Sequence, residues 1–365
     1  MAQVFSIKSF SVSSCAPVAA CQALAQCGKR QMSRNRDRWD ATGFAAELMA
    51  AKGEEKWDVM KRLLAKVAEH NYKIHREWRI PRTIPVSYDD CRRFRTKGRK
   101  SVEFSISSMT TAEACQHFAS IRGNVVCALN FANGEAPGGG YKHGATAQEE
   151  DLCRQMPTLY STLYAAQKEG LYPFGPATCS RADRPEKYAD VLYTTGLVIA
   201  REGQEEGYAV LPPERQVQVS LVTAAAPNIR FKKEVNEPEL LYKCIQSIFV
   251  APVMVQPEVT TLILGAWGCG AFGGDPLQIA DLFVQALVRD SLGQPYKEIH
   301  FAIPCLTTKD VNAEAFRTVF AKYELPFTDM DPAGMVLLDE PPILMGGCGA
   351  CWAVPESKGQ KKKRR

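Results

Sequence analysis

The stretch that most limits what this chain can become runs from Asn124 to Ala166. An apolar run up to Leu129 has the length of one buried strand. It is followed by Asn130-Phe131-Ala132-Asn133-Gly134-Glu135-Ala136-Pro137-Gly138-Gly139-Gly140, then by Tyr141-Lys142-His143-Gly144-Ala145-Thr146-Ala147 and Gln148-Glu149-Glu150. Leu152, Met156, Leu159, Leu163 and Ala166 then recur at helical spacing, which predicts one helix over 148–168. A strand thus delivers two asparagines and a triple glycine to one edge of a sheet, and two carboxylates open the next helix. Loops at the carboxyl ends of strands are where open α/β sheets hold ligands.

The acid pair admits two readings. Thr146-x-x-Glu149 fits a capping box, in which Glu149 only satisfies a free backbone amide. A cap, however, has no use for three glycines just upstream. Taken together, the glycines and the acids point to a backbone cradle beside a pair of carboxyls.

A second stretch has the same form: Leu262-Ile263-Leu264-Gly265-Ala266-Trp267-Gly268-Cys269-Gly270-Ala271-Phe272-Gly273-Gly274-Asp275-Pro276. A β-run feeds a glycine-rich turn, and Asp275 and Pro276 supply an N-cap and a first helical residue. Amides at such a junction bind phosphate oxygens, and glycines let the chain approach an anion without a Cβ in the way. Phe272 is placed to stack on a base or pack against a ribose. Gly268-x-Gly270-x-x-Gly273 also matches the dinucleotide fingerprint, but that motif opens a fold and needs an acid about 20 residues on. Here it comes late, and the next strand ends Ala302-Ile303-Pro304. A Walker loop is excluded because no Gly-Lys-Ser/Thr follows. An ordinary strand-to-helix turn is the remaining alternative.

Elsewhere, strands are expected at 125–129, 191–199, 217–224, 260–264 and 299–303. Helices are expected at 238–249, 277–291 and 311–323, and two more within 39–72 with a break near Lys52-Gly53. This alternation argues for an α/β sandwich with a mixed, largely parallel sheet. Residues 181–188 read as a surface insertion. The segment from Cys91 to Lys100 carries six basic residues and no acid, which reads as a solvated face or as a surface meeting an anionic substrate.

Composition adds limits. The net charge of +5 equals the charge of Lys361, Lys362, Lys363, Arg364 and Arg365, so the body is neutral and only the tail invites a polyanion. No apolar run reaches the roughly 18 residues of a membrane span, and a soluble chain with no membrane contact is expected. Thirteen scattered cysteines read as reduced, mostly buried thiols of an intracellular protein. Cys348-x-x-Cys351 lacks the second pair a structural zinc needs, and His143 stands without partners, so no metal is expected. Residues 1–36 contain no acid, which fits a transit peptide or a disordered N-terminus. The basic C-terminal end gives a conflicting, nuclear address. Nucleus or cytoplasm is favoured.

These residues carry a resemblance. Asn130-x-x-Asn133 followed by Gly138-Gly139-Gly140 resembles the ribose and diphosphate loops of macrodomains. The triple glycine, seven residues, then Gln148-Glu149-Glu150 resembles the signature of poly(ADP-ribose) glycohydrolases. The run from Ala147 to Arg154 with Leu159-Tyr160 is similar to the bacterial-type branch. So are Thr223-Ala224-Ala225-Ala226-Pro227-Asn228 and Gly265-Ala266-Trp267-Gly268-Cys269-Gly270.

The resemblance implies a macrodomain-like three-layer α/β/α sandwich with a mixed central sheet and an N-terminal helical extension. It implies residues 1–36 as a separate N-terminus, 37–110 as a helical accessory region, 111–330 as the catalytic domain and 331–365 as linker and tail. It implies a monomeric glycosidase that needs no cofactor and acts on poly(ADP-ribose) attached to proteins. Glu150 matches the catalytic acid, and Glu149 the residue holding the leaving ribose. Asn130, Asn133, Gln148 and Gly138, Gly139 and Gly140 match the ribose side. Gly268, Cys269, Gly270, Ala271, Phe272 and Gly273 match the diphosphate loop. As general acid, Glu150 needs a pKa raised from about 4.3 towards 6 or 7. The helix N-terminus opposes this by about 0.3–1 kcal/mol, while desolvation and like charges favour it more strongly. Three other functions stay open: a macrodomain that only binds ADP-ribose, a hydrolase of single ADP-ribose groups, and an interaction protein acting through the basic tail.

Overall fold

Eight strands build one sheet, seen in a computed structural model that describes residues 39–331 apart from 96–97, 99–100, 183–184 and 306–310. The features at 1–36, at Cys348 and Cys351, and at 361–365 lie outside the described residues. The strands are β1 (Thr83–Val86), β2 (Glu103–Ser107), β3 (Val126–Ala132), β4 (Val191–Ile199), β5 (Val217–Ala225), β6 (Thr261–Leu264), β7 (Glu298–Ala302) and β8 (Thr328–Asp329). Their order is β1-β4-β5-β3-β6-β7-β2-β8. The pairs from β5 onward are parallel, and the β1-β4 and β4-β5 pairs are antiparallel.

Side chains alternate across a strand, so each central strand feeds two cores. Cys127 and Leu129 of β3, Val222 and Ala224 of β5, and Leu262 and Leu264 of β6 face one side. Val126 and Ala128, Val219 and Leu221, and Ile263 face the other. The helices, in chain order, are α1 (Ala41–Gly53), α2 (Trp57–Ile74), α3 (Tyr88–Arg93), α4 (Thr111–Ser120), α5 (Gln148–Gln155), α6 (Leu159–Lys168), α7 (Ala177–Ala182), α8 (Ile229–Lys232), α9 (Pro238–Val255), α10 (Pro276–Val288) and α11 (Val311–Lys322). Helices α9, α10 and α11 cover the first face, and α4, α5 and α6 cover the second. Each buried Leu or Phe contributes about 1.5–3 kcal/mol to holding the layers together. The result is the three-layer sandwich.

Several expectations need correction. The single helix over 148–168 is two helices. Pro157 has no N–H to give, and it drives Met156 out of helical geometry, to φ −111° and ψ 93°. The region 37–110 is not purely helical, since it also contributes β1 and β2 to the sheet. Tyr188, expected in a surface insertion, is fully buried and donates to the Val235 carbonyl. Helix α9 runs on to Val255 and has the length and apolarity of a membrane span, against the expectation that no run would. Its Leu241, Ile245, Ile248 and Phe249 lie buried in the core on the sheet. Most of the described cysteines are buried. Arg92 pairs with Asp89 at 2.7 Å on the exposed side of α3, as a solvated face would.

Candidate active site

The first glycine turn leaves the carboxyl end of β3. Asn133 folds it back, its Oδ1 accepting the N–H groups of Glu135 and Ala136 at 2.9 and 3.0 Å. Gly139 sits at φ +51°, and a Cβ there would collide with Glu150 Oε1. That position admits glycine on both grounds.

Helix α5 opens at Ala147 without a side-chain cap, so the Thr146–Glu149 capping box does not form. Glu149 turns to β3 instead. Its Oε1 accepts from Asn130 Nδ2 at 3.2 Å and its Oε2 from the Asn133 N–H at 2.9 Å. Gln148 works as a splint. Its Oε1 accepts the Phe131 N–H at 2.9 Å, while its Nε2 donates to Thr111 Oγ1 and the Leu129 carbonyl at 3.0 and 2.8 Å. Glu150 points the other way, towards the glycines. Its Oε1 accepts the Gly140 N–H at 2.8 Å, and its buried Oε2 has no hydrogen-bond partner among the described residues.

Burial dominates the electrostatics of both acids. It pushes the Glu149 carboxyl up to about 8, opposed by the Asn133 N–H and reinforced by the charge of Glu150. Burial also raises Glu150, opposed by the Gly140 N–H and then by the Arg154 guanidinium. For both acids desolvation outweighs the opposing pull of the helix N-terminus.

Behind the acids lies a buried polar network. Asn71 on α2 donates to Tyr141 Oη at 3.0 Å and to the carbonyls of Cys153 and Arg154 at 3.1 and 2.9 Å. Its Oδ1 accepts from Arg201 Nε at 2.7 Å, and Arg201 Nη1 donates to the Tyr208 carbonyl. Tyr208 Oη donates to Asp151 Oδ1 at 2.7 Å, and Arg154 donates to the Ala145 carbonyl. Helix α2 is thereby fastened to α5, which carries the acids. No motif in the sequence marked Asn71, Arg201 or Tyr208.

The second glycine turn leaves β6. Asp275 caps α10 by accepting the Leu277 N–H at 2.9 Å, with Pro276 as first helical residue, as expected. Trp267 is fully buried and donates to the Ala224 carbonyl at 3.0 Å. Gly274 N–H closes the loop on the Gly268 carbonyl at 2.9 Å. Between the two turns and the end of β5 opens a small cleft. Asn133, Gly134 and Glu135 border it from the first turn, Phe272 from the second, and Ala225, Ala226 and Asn228 from the end of β5. Gly268, Cys269, Gly270, Ala271 and Gly273 shape the second turn without bordering this cleft. Lys232 and Glu234 also border it, and Lys232 pairs with Glu135. Reasoning from sequence missed both, since a lone charged pair far apart in the chain leaves no pattern. Among the described residues no three His, Cys, Asp or Glu side chains converge as a metal site, and His143 is exposed.

Residues 50–202 match the family described as microbial-type PARG, catalytic domain. None of the curated proteins matches the chain. Among solved structures, the poly(ADP-ribose) glycohydrolase (PARG) from Thermomonospora curvata aligns with a TM-score of 0.60 and 24% identity, over 70% of this chain and 99% of that one. The same enzyme bound to the inhibitor ADP-HPD aligns with a TM-score of 0.58, also at 24% identity over 70% and 99%. The enzyme from Deinococcus radiodurans in complex with ADP-ribose aligns with a TM-score of 0.55 and 29% identity, over 66% and 94%. The Thermomonospora likeness speaks for the fold, and the Deinococcus likeness and the family match speak for more than the fold.

Proposed function

We infer that this chain, which belongs to the microbial-type poly(ADP-ribose) glycohydrolases, hydrolyses the ribose–ribose O-glycosidic bonds of poly(ADP-ribose) and releases ADP-ribose. Glu150 is the acid of this reaction. Its proton passes to the leaving ribose oxygen as the glycosidic bond breaks and positive charge develops at the anomeric carbon. The carboxylate so formed takes a proton from the attacking water, which returns Glu150 to its starting state. Glu149 holds the leaving ribose through its hydroxyls, using the hydrogen-bonding positions its oxygens keep beyond the Asn130 and Asn133 contacts. Asn133 places the reacting ribose. The amides of the second turn take the diphosphate, with Phe272 against the terminal ribose or adenine.

The observation that carries this reading is the state of Glu150. One oxygen is fixed by the Gly140 N–H, the other has no described partner, and burial raises the affinity of the carboxyl for a proton. A module that only binds ADP-ribose has no use for two buried acids there, because burying ionisable groups lowers stability. The test is incubation with automodified polymer, wild type beside Glu150→Gln, scoring released ADP-ribose. Release by wild type alone is expected. Equal release by both would remove Glu150 from the mechanism, and release by neither would leave a binding module.

A further inference from the structure

We propose that the outer face of α6, beside the first glycine turn, is an accessory subsite in which a polymer adenine stacks on Tyr164 and Tyr160 while Lys142 and Lys168 take the neighbouring pyrophosphate. The proposal rests on the reading that the chain acts on poly(ADP-ribose). It extends that reading from the one ADP-ribose unit held in the cleft to the unit on the leaving side of the bond.

Three rings form a row that starts at the site and ends in solvent. Tyr141 is buried, and its centroid lies 5.4 Å from that of Tyr160. Tyr160 lies against the glycine turn, since a Cβ on Gly138 would come within 2.9 Å of its ring. Tyr164, one helical turn further along α6, lies 6.1 Å from Tyr160 with the two planes only 14° apart, and is 42% exposed. Lys142 Nζ sits 4.8 Å over the Tyr160 ring, and Lys168 Nζ 5.1 Å over that of Tyr164. Both lysines are exposed. The acid next to Lys168, Glu169, is engaged by Arg82 at 3.2 Å, so the patch keeps a positive balance.

Stacked rings flanked by mobile cations suit a chain of purines and pyrophosphates. A base gains affinity by stacking on an aromatic side chain, and the cations add salt-dependent attraction to the backbone. The lysine stems are long enough for the ammonium groups to leave the ring faces for phosphate oxygens when a base arrives. Aromatic and Lys–Tyr pairs at helical spacing also occur as simple surface packing. What separates the two accounts here is continuity. The row begins under Gly138, within the turn that holds Glu150, and so lies on the path of the departing strand.

The test measures binding in a Glu150→Gln background, so that polymer is not consumed. Affinities for labelled poly(ADP-ribose) of defined length, for ADP-ribose and for an oligodeoxyadenylate are compared between that parent and the parent carrying Tyr164→Ala and Lys168→Ala. Polymer affinity is expected to fall about tenfold, the loss of one stacked base, with ADP-ribose affinity within about twofold. Tyr164→Phe should keep polymer affinity, because stacking does not need the hydroxyl. Unchanged polymer binding in the double variant would overturn the subsite. So would an equal loss on the oligodeoxyadenylate, which would mark a non-specific cationic surface. A parent that binds neither ADP-ribose nor polymer would instead bring down the functional reading, and the subsite with it.

Discussion

The two glycine turns leave neighbouring parallel strands, β3 and β6, and each relies on left-handed glycines. What stands behind them differs. The first is backed by carboxyls: Glu150 on the Gly140 N–H, Glu149 on the Asn133 N–H, and Gln148 tying both to β3. The second is backed by a buried indole, a backbone closure and a helix cap. One backbone device thus serves two ends. In the proposed mechanism the turn set against buried acids moves a proton, and the turn set against an apolar plug holds the diphosphate.

Substitutions can break this division or sharpen it. The largest effect is expected of Glu150→Gln. Losing a positioned general acid and base lowers kcat by about 10³-fold or more, with ADP-ribose affinity retained, as single-turnover kinetics and calorimetry would show. Gly139→Ala comes next. The added methyl meets Glu150 Oε1 at a left-handed φ, and if Glu150 is displaced by about 1 Å from its proposed catalytic position the expected cost is about 10²-fold in kcat. Gly268→Ala acts on the other turn. Its φ of +79° and a Cβ only 2.8 Å from that of Ala226 shift the loop, and the expected result is a KM about tenfold higher, the scale of one lost charge-assisted hydrogen bond.

The last effect concerns stability rather than turnover. Burial holds the Glu149 pKa at about 8 in the fold, against 4.5 for an ordinary glutamate. Its contribution is therefore fully present below about 4.5 and is lost as pH rises through about 8. Glu149→Gln should melt with wild type at pH 4 and several degrees above it at pH 8. The Asn130 Oδ1, which has no described partner, is free to accept from the new amide once its own amide turns over. A constant difference across that range would show that Glu149 does not titrate in this window.

The sequence made the strands with apolar faces legible. The expected 191–199 is the observed β4, and 217–224 misses β5 by one residue. Strand β2 escaped because only Phe104 and Ile106 give it an apolar face, while the other buried face is polar. Ser105 and Ser107 are buried against the two ring nitrogens of His300, at 2.9 and 2.8 Å, a pairing that no period-2 apolar pattern can reveal. The acids were visible as Gln148-Glu149-Glu150, but the role of Glu149 against β3 was not, since a capping box gives the same spacing. Asn71 was invisible for a related reason. A buried asparagine gains its meaning from Tyr141, Arg201 and two carbonyls that the sequence places 70 to 130 residues away.

The division between the two turns is tested most directly by determining kcat and KM for Gly139→Ala and Gly268→Ala on one polymer preparation. The first variant is expected to lose about 10²-fold in kcat at a KM near wild type, and the second to keep its kcat while KM rises about tenfold. Loss of kcat in both variants to the same extent, or a pure KM effect at Gly139, would contradict it.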